Sequence, residues 1–187
     1  MCLENISEKK IAKRNIKCYK WLKKVFDLTT LANAHGKPFK AKIREKEVEG
    51  VISISSSGGI YFCQNHHDGA DAFDKFGYEY SWAMDSNVSN IAVEGIEVPF
   101  TLITPYQEIP VEIGKTYLSE VEVTNSIIGE GLHSFYDLED AIDDADDNWV
   151  IVECIIPKGS TYYSGTFIGW KSYASNELKY EEIVRER

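Results

Sequence analysis

The densest run of metal-ligating side chains is Cys63-Gln64-Asn65-His66-His67-Asp68, where thiol and imidazole stand at the C-x-x-H spacing of half a tetrahedral zinc site. No second pair accompanies it. His35, His133 and Cys154 could complete the set only through the fold, so no metal is expected and the run reads as a polar turn entering a helix. Asp143-Asp144-Ala145-Asp146-Asp147-Asn148 gathers enough oxygens for calcium but lacks the glycine and terminal glutamate of an EF-hand loop. A solvated helix face accounts for it better. Ser55-Ser56-Ser57-Gly58-Gly59 could turn amides toward a phosphate, yet the Gly-Lys-Ser/Thr that brings positive charge is missing. There is no G-x-S-x-G, and the adjacency of His133 and Ser134 does not by itself orient a nucleophile against a base.

The elements that must position these groups follow from periodicity. Residues 1–15 form a basic N-terminal helix or flexible arm, and 16–187 one domain. Ile16–Phe26, IKCYKWLKKVF, alternates as a strand or closes a basic amphipathic helix begun near Ser7; a short helix followed by a strand is preferred. Residues 48–54 and 60–63 read as an extended pair broken by SSSGG, and Asp68 caps a short helix bearing Ala70, Phe73 and Phe76 that stops at Gly77. Residues 78–84, parts of 91–103 and 115–123 are further strands. Leu138, Ala141, Ile142, Ala145 and Trp149 make one apolar helical stripe, capped by Ser134 or Asp137, with Asp137, Glu139 and Asp140 at the positive end of the helix dipole. The run VIVECII over residues 150–156 has the length and β-branching of a central strand. The pattern Glu47-Val48-Glu49, Ser53-Ile54, Gly58, Phe62, Asp71-Ala72, Asp74 echoes in Glu120-Val121-Glu122, Ser126-Ile127, Gly131, Phe135, Asp144-Ala145, Asp147, which raises an internal duplication of a strand-turn-strand-helix unit. The expected class is α+β: a single compact domain with a mixed or mainly antiparallel sheet and two or three short helices.

Composition bounds the partners. A chain of 187 residues, 43% apolar, with eleven Tyr and eight Phe, can bury a core without metal or disulfide support. Its net charge of −10 opposes nonspecific nucleic-acid binding, except through the basic segment from Lys9 to Lys24, which holds eight Lys or Arg and no acid. The counterpart runs from Asp137 to Asp147, with seven acids and no base. Both read as solvated faces. No apolar run is long enough to span a bilayer, and the start MCLENISEKK lacks a signal-peptide layout, so a cytoplasmic location with Cys2, Cys18, Cys63 and Cys154 reduced is expected.

Gly131-Leu132-His133-Ser134-Phe135, Ile156-Pro157-Lys158-Gly159-Ser160, Tyr162-Tyr163-Ser164-Gly165 and Ser172-Tyr173-Ala174-Ser175, with an early Tyr19-Lys20, resemble families from phages and Bacteroides-type gut bacteria, over residues 19–21 and 106–183. The order of these segments is more distantly similar to mono-ADP-ribosyltransferases. That similarity implies Tyr19 and Lys20 at a nucleotide cofactor and His133, Ser134 and Glu177, or Glu181, at the reacting centre. Lys20 stands where arginine-specific members carry Arg, Phe135 replaces a Thr of the motif, and no E-x-E precedes the last strand.

The leading expectation is a nonenzymatic acidic accessory protein, phage- or mobile-element-like, with no cofactor. It would act by binding another protein through Asp143, Asp144, Asp146 and Asp147, with counter-defence as one setting. The alternative is an ADP-ribosyltransferase-like or other nucleotide-handling enzyme with a diverged active site.

Overall fold

Period-two patterning, far more than helical spacing, governs this chain. The computed structural model describes residues 2–43, 46–54, 60–64, 81–83, 88–145 and 149–186. In chain order its elements are β1 (Lys10–Ile11), β2 (Ile16–Phe26), α1 (Leu28–Asn33), β3 (Pro38–Ile43), β4 (Lys46–Ile54), β5 (Ile60–Gln64), β6 (Ser81–Ala83), β7 (Val88–Val93), β8 (Phe100–Ile103) and β9 (Pro110–Val111). There follow β10 (Thr116–Leu118), β11 (Val123–Thr124), β12 (Ile127–Ile128), β13 (Leu132–Phe135), α2 (Leu138–Asp143), β14 (Trp149–Ile156), β15 (Thr161–Phe167), β16 (Trp170–Ser175) and β17 (Glu177–Glu186). They gather into two compact units, residues 1–23 with 102–186, and residues 24–101.

The α+β expectation is corrected here. Among the described residues two six-residue helices stand beside seventeen strands, all in antiparallel ladders, so the protein is mainly β. Two physical reasons account for the difference. The segment around Ser7, read as helical, is extended and hydrogen-bonds along β15: Glu4 and Thr166 exchange backbone bonds at 2.8 Å each way, and Ser7 N–H donates to the Ser164 carbonyl at 2.7 Å. The α2 stripe is real, with Ala141, Ile142 and Ala145 buried and Leu138 packed beside them, but the helix ends at Asp143 and Trp149 begins β14. Its last turn holds no base, and Asp143 and Asp144 stand where the negative end of the dipole repels acids. Asp137 takes the N-cap position without a side-chain capping bond, and Ser134 lies in β13. The helix expected over 68–77 lies outside the described residues. Nor do the echoed segments share a form, since residues 46–54 make a nine-residue strand whereas 120–128 contain only the two-residue β11 and β12.

In the first unit the strands run in the order β1-β15-β16-β13-β2-β14-β17-β10. The apolar run of β14 lies between β2 and β17, with Ile151 opposite Trp21 and Cys154 opposite Cys18. One residue, Asn176, leads from β16 into β17, although these strands lie four places apart in the ladder. At about 4.8 Å per strand a flat sheet would separate them by about 19 Å, far beyond the reach of one residue. The sheet therefore curls. Its two faces alternate along each strand: Cys18, Leu22, Val150, Val152, Cys154, Leu178 and Tyr180 form one core, and Trp21, Phe135, Ile151 and Phe167 form another beneath α2. Trp21 is the centre of the latter, its ring 4.1 Å from Trp149 and its Nε1 donating to Asp144 Oδ2 at 3.0 Å.

The second unit holds the sheet β6-β5-β4-β3-β7. Alternation in β3 buries Phe39 and Ala41 and turns Lys40 out to pair with Glu49, its cross-strand partner, at 2.6 Å. Asp27 caps α1 by accepting from the Thr29 and Thr30 amides, and Leu31 anchors that helix among Phe26, Ile52 and Ile60.

Candidate functional site

Strand β13 carries the residues nominated for chemistry, and its alternation separates them. Ser134 stands opposite Tyr173, which belongs to the core containing Cys18 and Tyr180, while His133 stands opposite Ala174, which packs with Leu3 and Ile128. Cross-strand partners share a face. His133 and Ser134 therefore point to opposite sides of the sheet. Neither His133 ring nitrogen nor the Ser134 hydroxyl makes a well-formed hydrogen bond among the described residues; the Ser134 hydroxyl lies beside the Cys18 thiol and the His133 ring beside the Gly129 backbone. Burial, reinforced by the Lys20 ammonium, brings the His133 imidazole down to about 3, which leaves it neutral and a poor proton acceptor at pH 7.

The other nominated groups are engaged elsewhere. Glu177 accepts from the Ser160 hydroxyl at 3.0 Å, and Glu181 pairs with Lys179 at 2.8 Å. Tyr19 sits opposite Phe135, with the Lys17 ammonium 5.5 Å from its ring. Lys20 points into the curled sheet and donates to the His133 carbonyl at 2.9 Å. The structure thus brings Lys20 to the backbone of His133, but joins neither His133 nor Ser134 to Glu177 by a hydrogen bond. Asp143 is exposed and Asp144 is held by Trp21 Nε1; Asp146 and Asp147 lie outside the described residues.

Lys20 was not legible as an interior residue. Only 8% exposed, it lies among apolar side chains, and burial takes its ammonium down to about 8. The same burial pushes the Cys18 thiol up to about 12 and the Cys154 thiol well above its ordinary range, so both are protonated and unreactive. Cys18 and Cys154 are free thiols, as is the exposed Cys2. Among the described residues no three His, Cys, Asp or Glu side chains are placed to hold a metal. The side chains of the Cys63–Asp68 run lie outside them. No described helix is long and apolar enough to cross a membrane.

Where β15 and β16 form a hairpin, alternation gathers a different set. Register pairs Lys10 with Tyr162, Ser164 with Tyr173, and Thr166 with Lys171, placing all six on one face. Tyr136, one residue past β13, joins them with its ring 5.7 Å from that of Tyr173, and Tyr162 lies 5.7 Å from Tyr173 on the other side. These residues line an open groove of about 410 Å³, with Asn5 and Ser7 of the N-terminal segment forming part of its wall. Lys10 donates to Ser164 Oγ at 3.2 Å, and Asn5 Nδ2 to Thr166 Oγ1 at 3.0 Å. Among the described residues no carboxylate, imidazole or thiol is in the lining. The signal in the sequence was the alternation Tyr162-x-Ser164-x-Thr166 followed by Lys171-x-Tyr173, polar or aromatic at every second position of a hairpin. Burial raises the Tyr173 phenol, so it remains a neutral O–H donor well above pH 7. No family model, curated protein or solved structure matches this chain.

Proposed function

We propose that this chain acts by binding another protein rather than by turning over a substrate. The observation that carries the reading is the back-to-back placement of His133 and Ser134, hydrogen-bonded neither to each other nor to Glu177, which is committed to Ser160. Nucleophilic or general-base chemistry needs those groups within hydrogen-bond reach of one another or of one substrate atom. The partner contact suggested by the acidic run is narrowed to its outward side. Asp143 and Glu139 are exposed on α2, whereas Asp144 ties α2 to Trp21. Burial, together with Asp137 and Asp143, raises the Asp140 carboxyl against the opposing pull of Lys171, and a basic partner would add to that relief.

The test compares wild type with Glu139→Lys/Asp143→Lys in quantitative affinity capture, alongside incubation with labelled NAD and lysate. A specific partner retained by wild type and lost by the charge-reversed protein, with no label transferred, is the expected result. Label transfer that disappears in Glu177→Gln would overturn the reading in favour of an ADP-ribose-transferring enzyme, and partner retention unaffected by charge reversal would remove α2 as the contact.

A further inference from the structure

The groove between β1, β15 and β16 carries an inference of its own, although Asp140 and Asp137 of the α2 segment act on its lining residues Lys171 and Tyr173. Among the described residues its only charged lining groups are Lys10 and Lys171, in a protein whose net charge is −10. Three other lysines of this unit are neutralised by carboxylates at close range: Lys17 by Glu153 at 2.5 Å, Lys115 by Glu112 at 2.6 Å, Lys179 by Glu181 at 2.8 Å. Lys10 and Lys171 instead rest on aromatic rings, 6.0 Å from the Tyr162 centroid and 5.9 Å from the Tyr136 centroid. Lys171 feels the carboxylate of Asp140, which does not line the groove. Between the two ammoniums lie three phenol rings in a row, Tyr136, Tyr173 and Tyr162, tilted by 45° and 82° to one another. Such an edge-and-face arrangement accepts a further ring, and each aromatic pair adds about 1 kcal/mol beyond burial. Hydroxyls of Ser164 and the tyrosines supply directional bonds to oxygen. A volume of about 410 Å³ suits a small molecule.

We propose that this groove binds a small aryl anion: a flat unsaturated ring joined to one phosphoryl or carboxylate group, the anion held by the ammonium at one end of the row, Lys10 or Lys171, and the ring packed on the phenols beside it. The ammoniums select the charge and the phenols select the ring, so neither half alone binds as well as the two joined.

The experiment is calorimetric or NMR titration of the full chain with phenyl phosphate and benzoate, against inorganic phosphate and phenol as charge without ring and ring without charge. At least one aryl anion is expected to bind at least about tenfold more tightly than both half-ligands, and the preferred one identifies the anion class. Lys10→Gln/Lys171→Gln is expected to weaken it at least about tenfold, while Lys115→Gln, whose lysine lies outside the groove, leaves affinity unchanged. Circular dichroism and the thermal midpoint confirm that each variant is folded. Absence of binding by both aryl anions at about 10 mM, equal binding of inorganic phosphate, or full binding by the folded double variant would each overturn the proposal.

Discussion

Lys20→Met tests how the curled sheet tolerates its buried amine. In the folded protein the ammonium titrates at about 8 against an ordinary value of 10.5. At about 1.4 kcal/mol per pH unit, that depression means a penalty of about 3 kcal/mol for holding the charged form inside. Below pH 8 folded and unfolded chains both carry the proton, and the folded state bears the whole penalty. As pH rises from 8 to 10.5 the folded protein sheds a proton that the unfolded chain keeps, and stability is recovered. The single hydrogen bond from Lys20 to the His133 carbonyl offsets about 2 kcal/mol of the penalty and is lost in the methionine variant. The variant is therefore expected to lead wild type by about 1 kcal/mol at pH 7 and to trail it by about 1–2 kcal/mol at pH 10. Urea unfolding of both proteins at the two pH values measures this. The raised thiols of Cys18 and Cys154 lower stability above pH 9 in both proteins, so the difference between the proteins, not either curve alone, carries the signal. Parallel behaviour, with the same gap at pH 7 and pH 10, would refute the premise that Lys20 is charged in a desolvated interior.

The lowered His133 imidazole makes the opposite end of the scale informative. The unfolded chain takes up a proton below 6.5 that the folded protein refuses until about 3, so stability falls with acid through that window, by about 3 kcal/mol at pH 4.5; His133→Leu should flatten that limb in urea midpoints measured from pH 7 to pH 4.5. A Cβ at Gly165 would meet the Glu4 carbonyl and, at 2.9 Å, Leu3 Cγ, so Gly165→Ala should destabilise by about 1–3 kcal/mol and expose the amides of Glu4 and Ser7 to hydrogen exchange. Asp144→Ala leaves Trp21 Nε1 unpartnered and should cost about 1–3 kcal/mol in chemical unfolding, with a change in Trp fluorescence. Ile168 occupies a left-handed position (φ 49°) in the β15–β16 turn and is 73% exposed; Ile168→Asn should raise stability by about 1 kcal/mol, read as a higher melting temperature.

What the sequence disclosed depended on how local the determining interaction was. The strands β4, β5 and β14 are written in short runs of apolar alternation, and the stripe of α2 packs the residues its spacing marks, Leu138, Ala141, Ile142 and Ala145. Where α2 stops is set by acids at its carboxyl end, a weaker signal than the stripe, whose spacing carries on to Trp149. The extended path of the first residues is dictated by partners such as Ser164 and Thr166 at the far end of the chain, and no local pattern announces them. Lys20 and Lys24 fall in a basic run that reads as solvated, yet both are buried, because alternation in β2 turns them inward with Cys18 and Leu22. The distant resemblance put His133 and Ser134 at one reacting centre, and the two-residue repeat of a strand is what sets them apart. The groove was spelled out in alternate positions of β15 and β16, but its meaning required the hairpin register and Lys10 from another strand.

The central position of β2 also bears on how the chain is made. Its main partner, β14, emerges from the ribosome only after residues 24–101 and most of the first unit's second segment, a delay on the order of ten seconds at ordinary rates of synthesis. Throughout that interval Trp21, Leu22 and Cys18 lack the β14 side chains they pack against. Slowing translation between the codons for Phe26 and Trp149 should therefore lower the yield of folded protein more than slowing it before Ile16.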